Sequence, residues 1–235
     1  MRILALDTAT ESCSVALSID GEDRIRDAEL PRGHAERILT MIDQVLAEAD
    51  ASLRSLDAIA FGRGPGSFTG VRLAVSVVQG LAFGADLPVV PVSDLRAVAQ
   101  RVLHDVPGSS RVLICNDARM NEVYWACFER GPDGLAAFLT EECVGAPGTV
   151  TLPSSWTGEV AAWTGEVAAA GRGFAAYPGL ASRLSQQLGS VHDRLLPHAR
   201  EIALLARTEV QAGRTVAAEQ ALPTYLRDEV ARPQS

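Results

Sequence analysis

The amino-acid sequence predicts an α/β chain of two lobes that open alike. An apolar strand, RILALD, ends in Asp7 and turns into a second strand, CSVALSI. Later another apolar strand, RVLIC, is followed by Asp117 and a second strand, EVYWACF, so the strand–Asp–turn–strand opening occurs twice. Between these openings short apolar runs alternate with helical periodicity, the pattern of strand–helix–strand units.

Each element follows from its residues. RILALD is apolar on both faces, which suits the centre of a covered sheet. After the small polar turn TATES, Cys13, Val15, Leu17 and Ile19 alternate with Ser14, Ala16 and Ser18. Asp20-Gly21 makes a hairpin turn, and a more polar third strand runs to about Leu30, where Pro31-Arg32-Gly33 breaks the pattern. Residues 34–49 read as an amphipathic helix with Ala35, Ile38, Leu39, Ile42, Val45, Leu46 and Ala49 on its inner stripe. Arg37, Thr40, Met41 and Gln44 lie off that stripe.

A strand at 56–61 leads into GRGPGSFTG, which holds four glycines between Gly62 and Gly70. Such a backbone can take positive φ and approach a neighbour closely, Pro65 stiffens it, and Ser67 or Thr69 is placed to cap the next helix. The Gly-Lys-Ser/Thr ending of a P-loop is missing, as is G-x-G-x-x-G spacing. In the helix at 70–84, Val71, Leu73, Ala74, Val75, Val77, Val78, Leu81 and Ala82 fill an arc wider than a one-sided helix needs. Arg72, Ser76, Gln79 and Phe83 share the remaining sector. Two readings stay open: an internal helix between its sheet and a neighbouring helix, or a helix shared with another protein. The strand LPVVPV and a helix from Asp94 to about His104 complete the order of a ribonuclease-H-like lobe, residues 1–105.

The linker DVPGSS separates a second, smaller lobe, 106–235. Its third strand lies near 135–144, after the turn at Gly131-Pro132-Asp133-Gly134. Residues 156–169 repeat WTGEVAA twice, read here as a loop-lengthening copy and a copy that leads into the strand VAAAGRGF. Deleting 156–162 is therefore expected to leave the fold and its melting temperature nearly unchanged. A helix is expected around 180–188, and a stronger one at about 198–213 is free to pack back on the first lobe. LPTYLRDEVA closes as an extended piece with a polar tail.

Composition narrows the function. A net charge of −8 over 235 residues argues against a free-standing nucleic-acid surface. Every basic residue is arginine, which removes lysine chemistry. Cys13, Cys115, Cys127 and Cys143 form no C-x-x-C pair and read as reduced, cytoplasmic thiols. No segment reads as long and apolar enough to span a membrane.

The combination of MRILALDTATESCSVAL, HAERILTMI, the glycine loop with its helix, NDARMNEVYWACF and PTYLRDEV resembles the TsaB (YeaZ) family, across nearly the whole chain. The resemblance implies the actin-like ATPase, sugar-kinase and heat-shock-chaperone fold. It implies a non-catalytic partner for TsaD, which transfers threonylcarbamoyl to the adenosine beside the anticodon of ANN-reading tRNAs. TsaE completes that assembly, TsaC supplies the threonylcarbamoyl adenylate, and the chain pairs with itself when TsaD is absent. It also implies pairing through the helices at 34–49 and 70–84, whose outer strips hold Arg37, Thr40, Met41 and Gln44 and Arg72, Ser76, Gln79 and Phe83, so Phe83→Glu or Arg72→Glu should weaken both assemblies.

TsaD carries two metal-binding histidines where this chain has Val92-Ser93-Asp94-Leu95-Arg96-Ala97-Val98, and His34, His104, His192 and His198 are scattered. No catalytic residue and no metal site is expected. Asp7, Thr8, Thr10 and Asp117 fit vestigial phosphate loops, but Arg172, within Gly171-Arg172-Gly173, stands where adenine would lie. No cofactor is expected beyond weak nucleotide binding. The alternative is an ATP-using phosphotransferase-like or metalloprotease-like enzyme of the same fold.

Overall fold

In the computed structural model, which describes residues 1–157 and 167–227, two sheets repeat one strand order. In the first, β1 (Arg2–Asp7), β2 (Ser12–Ile19) and β3 (Glu22–Glu29) are antiparallel, while β4 (Ala58–Gly62) and β5 (Val89–Val92) run parallel to β1 on its other side. The order is β3-β2-β1-β4-β5. In the second, β6 (Arg111–Arg119), β7 (Glu122–Arg130) and β8 (Ala136–Phe138) are antiparallel, and β9 (Cys143–Gly145) also pairs with β7. β10 (Val167–Ala170) and β11 (Leu188–His192) add the parallel half beside β6. The fold is α/β with two ribonuclease-H-like sheets, the actin-like arrangement.

β1 has a buried residue at every position from Ile3 to Asp7, and its period of two divides the first lobe's core. Leu4 and Leu6 face the side covered by α1 (His34–Glu48) and α2 (Phe68–Ala85), with Val15, Leu17, Ile59 and Phe61. α3 (Asp94–Asp105) lies on the second sheet, where Leu95, Val98 and Val102 meet Val112, Ile114 and Phe128. The short helices α4 (Ser154–Thr157), α5 (Gly173–Ala176) and α6 (Pro178–Arg183) cover that sheet's other face through Trp156, Phe174 and Leu180. α7 (Ala199–Gln211) returns to the first sheet, burying Ile202, Ala203, Leu205 and Ala206 against Ile3, Ala5, Ala58 and Ala60. Ile202 and Leu205, both fully buried, stabilise that contact by about 2 kcal/mol each.

Several elements differ from the sequence expectation. Met41 is buried and Leu39 is 53% exposed, so α1 is turned from the assigned stripe. Its buried residues are Ile38, Met41, Ile42, Val45 and Leu46, an i, i+3, i+4, i+7, i+8 series, and the Cys13 thiol donates to Met41 Sδ at 3.9 Å. Neither Ser67 nor Thr69 caps α2 with its side chain. α2 is also 18 residues, long and apolar enough to cross a membrane by length and composition, contrary to the expectation that no segment is. Its buried residues Ala74, Val75, Val78 and Ala82 pack into the first lobe's core with Leu4, Leu6, Ile59 and Phe61. The helix expected around 180–188 stops at Arg183, and the missed strand β11 begins at Leu188. The third strand of the second lobe is split into β8 and β9.

Most of the doubled heptad lies outside the described residues, but its first residue corrects the loop reading. Trp156 is buried, its indole N–H donates to Glu129 Oε1 at 2.8 Å, and the Arg111 guanidinium lies 5.6 Å from its ring. We expect Trp156→Ala to lower the urea unfolding free energy by about 3 kcal/mol. Deleting 156–162 should cost less, because Ser155 is then followed by an identical heptad. Equal losses, or none from Trp156→Ala, would contradict this packing.

Candidate functional site

The parallel strands β1, β4 and β5 end side by side, and what stands at their tips follows from one glycine. Asp7 ends β1, Gly62 ends β4, and Asp94 opens α3 just beyond β5. A Cβ on Gly62 would come within 2.3 Å of Asp94 Oδ1 and 3.1 Å of Asp7 Oδ2. The missing side chain is what lets two carboxyl groups occupy the space over β4. Both aspartates are completely buried.

Two charges cannot share that dry space, so the pair holds a proton between them. Burial raises Asp94 well above the ordinary carboxylate range, with the Asp7 charge adding to it. Burial pushes Asp7 up to about 6, against the hydrogen bonds it receives from Asp94 and the Ala9 amide. Asp94 Oδ2 accepts the Gly64 N–H, and Asp94 N donates to Gly64 O at 3.0 Å. Asp94 Oδ1 is buried with no donor among the described residues, and it and Asp7 Oδ2 both face the space a Gly62 side chain would fill.

The glycine loop closes on the β1–β2 turn. Ser67 N donates to Ala9 O at 2.7 Å and Thr8 Oγ1 to Gly70 O at 2.7 Å. Cβ atoms on Gly66 and Gly70 would strike Ala9 O at 2.6 Å and Thr8 O at 2.0 Å. Thr10 Oγ1 accepts Ser12 N at 3.2 Å, which makes it a turn residue. On the second lobe, Asp117 accepts the Arg119 amide and guanidinium, each at 2.8 Å, and the Tyr177 hydroxyl at 3.3 Å. All four residues assigned to phosphate loops therefore have partners within the chain.

A cavity of about 1030 Å³ lies between these turns, lined by Thr8, Thr10 and Glu11 on one lobe and Asn116, Asp117 and Arg119 on the other. Arg172 crosses it. Its guanidinium pairs with Glu11 at 3.3 Å and with Glu29, both on the first lobe, and Arg119 reaches Glu11 at 3.4 Å. The residues present fit a nucleotide poorly: Asp7 is buried against a second carboxyl, and the ion-paired Arg172 spans the cavity.

On the outer side of α1 and α2, Arg37, Thr40, Gln44, Arg72 and Ser76 are exposed, and Phe83 is 82% exposed. Met41 leaves that face for the core, as described above. Arg72 and Gln79 carry internal bonds: Arg72 Nε donates to the Tyr225 hydroxyl at 2.6 Å, and Gln79 Nε2 to Ala221 O at 3.0 Å. Sequence reasoning missed Asp94, Glu11, Glu29 and Tyr225. Asp94 carried a signal, an acid directly after a capping Ser93 at the end of a strand parallel to β1.

The family model described as TsaD: tRNA N6-adenosine threonylcarbamoyltransferase matches residues 28–234. The tRNA threonylcarbamoyladenosine biosynthesis protein TsaB of Escherichia coli (strain K12) is 43% identical over 98% of this chain and 96% of its own. The TsaB of Haemophilus influenzae is 40% identical over 98% and 95%. Among solved structures, YeaZ from Pseudomonas aeruginosa superposes with a TM-score of 0.84 at 42% identity, over 96% of this chain and 99% of that one. A crystal structure of an uncharacterized protein with similarity to peptidase YEAZ, also from Pseudomonas aeruginosa, gives 0.86 at 44% over the same shares.

The shared proton predicts a pH dependence. An acid whose folded pKa is raised from 3.8 to about 6 contributes fully below the lower value and loses that contribution as pH rises through the upper one. Asp94→Asn keeps a donor for Asp7 and an acceptor for Gly64 N–H without a second charge. Between about pH 4 and 8, urea midpoints should fall in the native chain and fall less in Asp94→Asn, which should be the more stable protein at the alkaline end. Identical slopes would contradict the shared proton.

Proposed function

The chain belongs to the TsaB family of tRNA threonylcarbamoyladenosine biosynthesis proteins, and from that premise we propose that it is a non-catalytic scaffold or activator subunit. In this reading it pairs in the cytoplasm with TsaD, which performs the transfer to tRNA, and TsaE completes the assembly. Where TsaD is absent it pairs with a second copy of itself. It meets tRNA only through the complex, consistent with a net charge of −8, and needs no metal, cofactor or membrane.

The observation that carries the partner reading is the outer face of α1 and α2. Phe83 is 82% exposed and Leu39 53%, on two helices covering one side of the sheet, among Arg37, Gln44 and Ser76. Large apolar groups mixed with arginine and polar residues make a surface suited to a reversible interface. The non-catalytic half rests on the cleft, where Asp7, Thr8, Thr10 and Asp117 all have internal partners. The size of the cavity favours a second reading, an ATP-binding phosphotransferase-like enzyme, against which stand the Asp7–Asp94 pair and the Arg172 bridge.

Phe83→Glu tests the partner face with little risk to the fold, given its exposure. Sedimentation velocity should show both the self-association and the complex with TsaD weakened at least about tenfold, or ~1.4 kcal/mol, at an unchanged melting temperature. Unchanged association in both cases would move the interface elsewhere.

A further inference from the structure

Residues 221–227 run as a strap from the first lobe to the second, and both of its ends are fastened. At the near end Gln79 donates to Ala221 O, Thr224 N donates to Arg63 O at 2.8 Å, and Arg63 Nη1 returns a bond to Thr224 Oγ1 at 2.5 Å. Tyr225 then joins a three-group stack on α2. The Arg72 guanidinium lies 3.5 Å over the Phe68 ring while its Nε donates to the Tyr225 hydroxyl, and the two rings are 5.9 Å apart. At the far end Arg227 pairs with Glu122 and donates to Ala118 O at 3.3 Å.

The far attachment falls on an unusual turn. Arg119, Met120 and Asn121 join β6 to β7 with φ of 60°, 55° and 61°, three successive non-glycine residues in the left-handed region. Such a run persists only where its surroundings hold it. Arg227 grips both shoulders of the turn, and the turn carries Arg119, whose guanidinium reaches Glu11 across the cleft.

We propose that the strap is a coupling device: a change at the Phe68–Arg72–Tyr225 stack on α2 sets the conformation of the β6–β7 turn, and with it the Arg119–Glu11 closure of the cleft. Phe68 and Tyr225 are 50% and 47% exposed, so the stack is open to contact from outside. Its use by a docking protein rests on the partner reading given above. The coupling itself is internal and stands without it.

Hydrogen exchange on the isolated full chain tests this independently of any partner. Arg72→Ala should raise exchange in residues 117–123 roughly tenfold, although among the described residues Arg72 bonds and stacks only within α2 and with Tyr225. Arg227→Ala should do the same, and the double variant should add little to either, as expected of residues in one device. Tyr225→Phe removes only the hydroxyl and should act in the same direction, which keeps the test decisive if Arg72→Ala disturbs α2. Amides of β1 and β4 should stay protected throughout. If Arg72→Ala and Tyr225→Phe loosen only α2 and leave 117–123 at native protection, the strap transmits nothing and the proposal fails. Effects of Arg72→Ala and Arg227→Ala that simply add would overturn it as well.

Discussion

The meeting of Asp7 and Asp94 over Gly62 sets the geometry on which the first lobe's working surfaces depend. One carboxyl terminates the central strand and the other opens α3, so a single proton ties β1 to the helix that carries the second sheet. Asp94 also holds Gly64 through its amide and its carboxyl, and the loop behind Gly64 delivers α2. A buried charge without a partner costs several kcal/mol, which is why the pair stays protonated rather than doubly ionised. The glycines of the loop follow from the same closeness: at Gly66 and Gly70 a side chain would collide with the β1–β2 turn. A loop that looks built for a ligand is filled by the chain's own backbone.

The lobes are held together by arginines that each serve two partners. Arg172 spans Glu11 and Glu29, and Arg63 spans Glu142 and Thr224. A planar guanidinium with several donors can do this where a lysine ammonium would serve less well, so the all-arginine composition has a structural use. The bridges are unequal. The Arg172 pairs are partly exposed and contribute about 0.2–1 kcal/mol each. Glu142 is only 8% exposed, and it joins Arg63 at 2.6 Å and the Ser93 hydroxyl at 2.5 Å. Removing one partner there would strand a buried charge, on the order of 3–5 kcal/mol. The Glu142 contact therefore fixes the lobes, and the Arg172 bridge trims the mouth of the cleft.

Periodicity made the strand order legible, because β1 at Ile3–Leu6 and β6 at Val112–Cys115 are apolar on both faces and the helices between them carry clear stripes. It failed where local pattern and packing part. Leu39 and Met41 are both apolar, and only the direction in which α1 leaves His34 decides which turns inward. β11 is five residues of half-exposed LGSVH, too short and polar to outweigh the helical look of the residues before it. In the cleft, Asp7 and Asp117 were readable as strand-end carboxylates, and their bonds to Ala9 and Arg119 are local, but each also has a partner far away in sequence. Asp94 and Tyr177 meet them through sheet order and not through any local motif.

These features give a two-lobed protein whose cleft carboxylates Asp7 and Asp117 have partners within the chain, and whose α1 and α2 present Leu39, Phe68 and Phe83 to solvent. A nucleotide-using enzyme of this fold would need those carboxylates free for a ligand. Isothermal titration of the isolated chain with magnesium–ATP tests this most directly. No saturable heat is expected below about 1 mM, corresponding to less than ~4.1 kcal/mol of binding. Saturable binding in the micromolar range that disappears in Asp7→Ala or Asp117→Ala would contradict it.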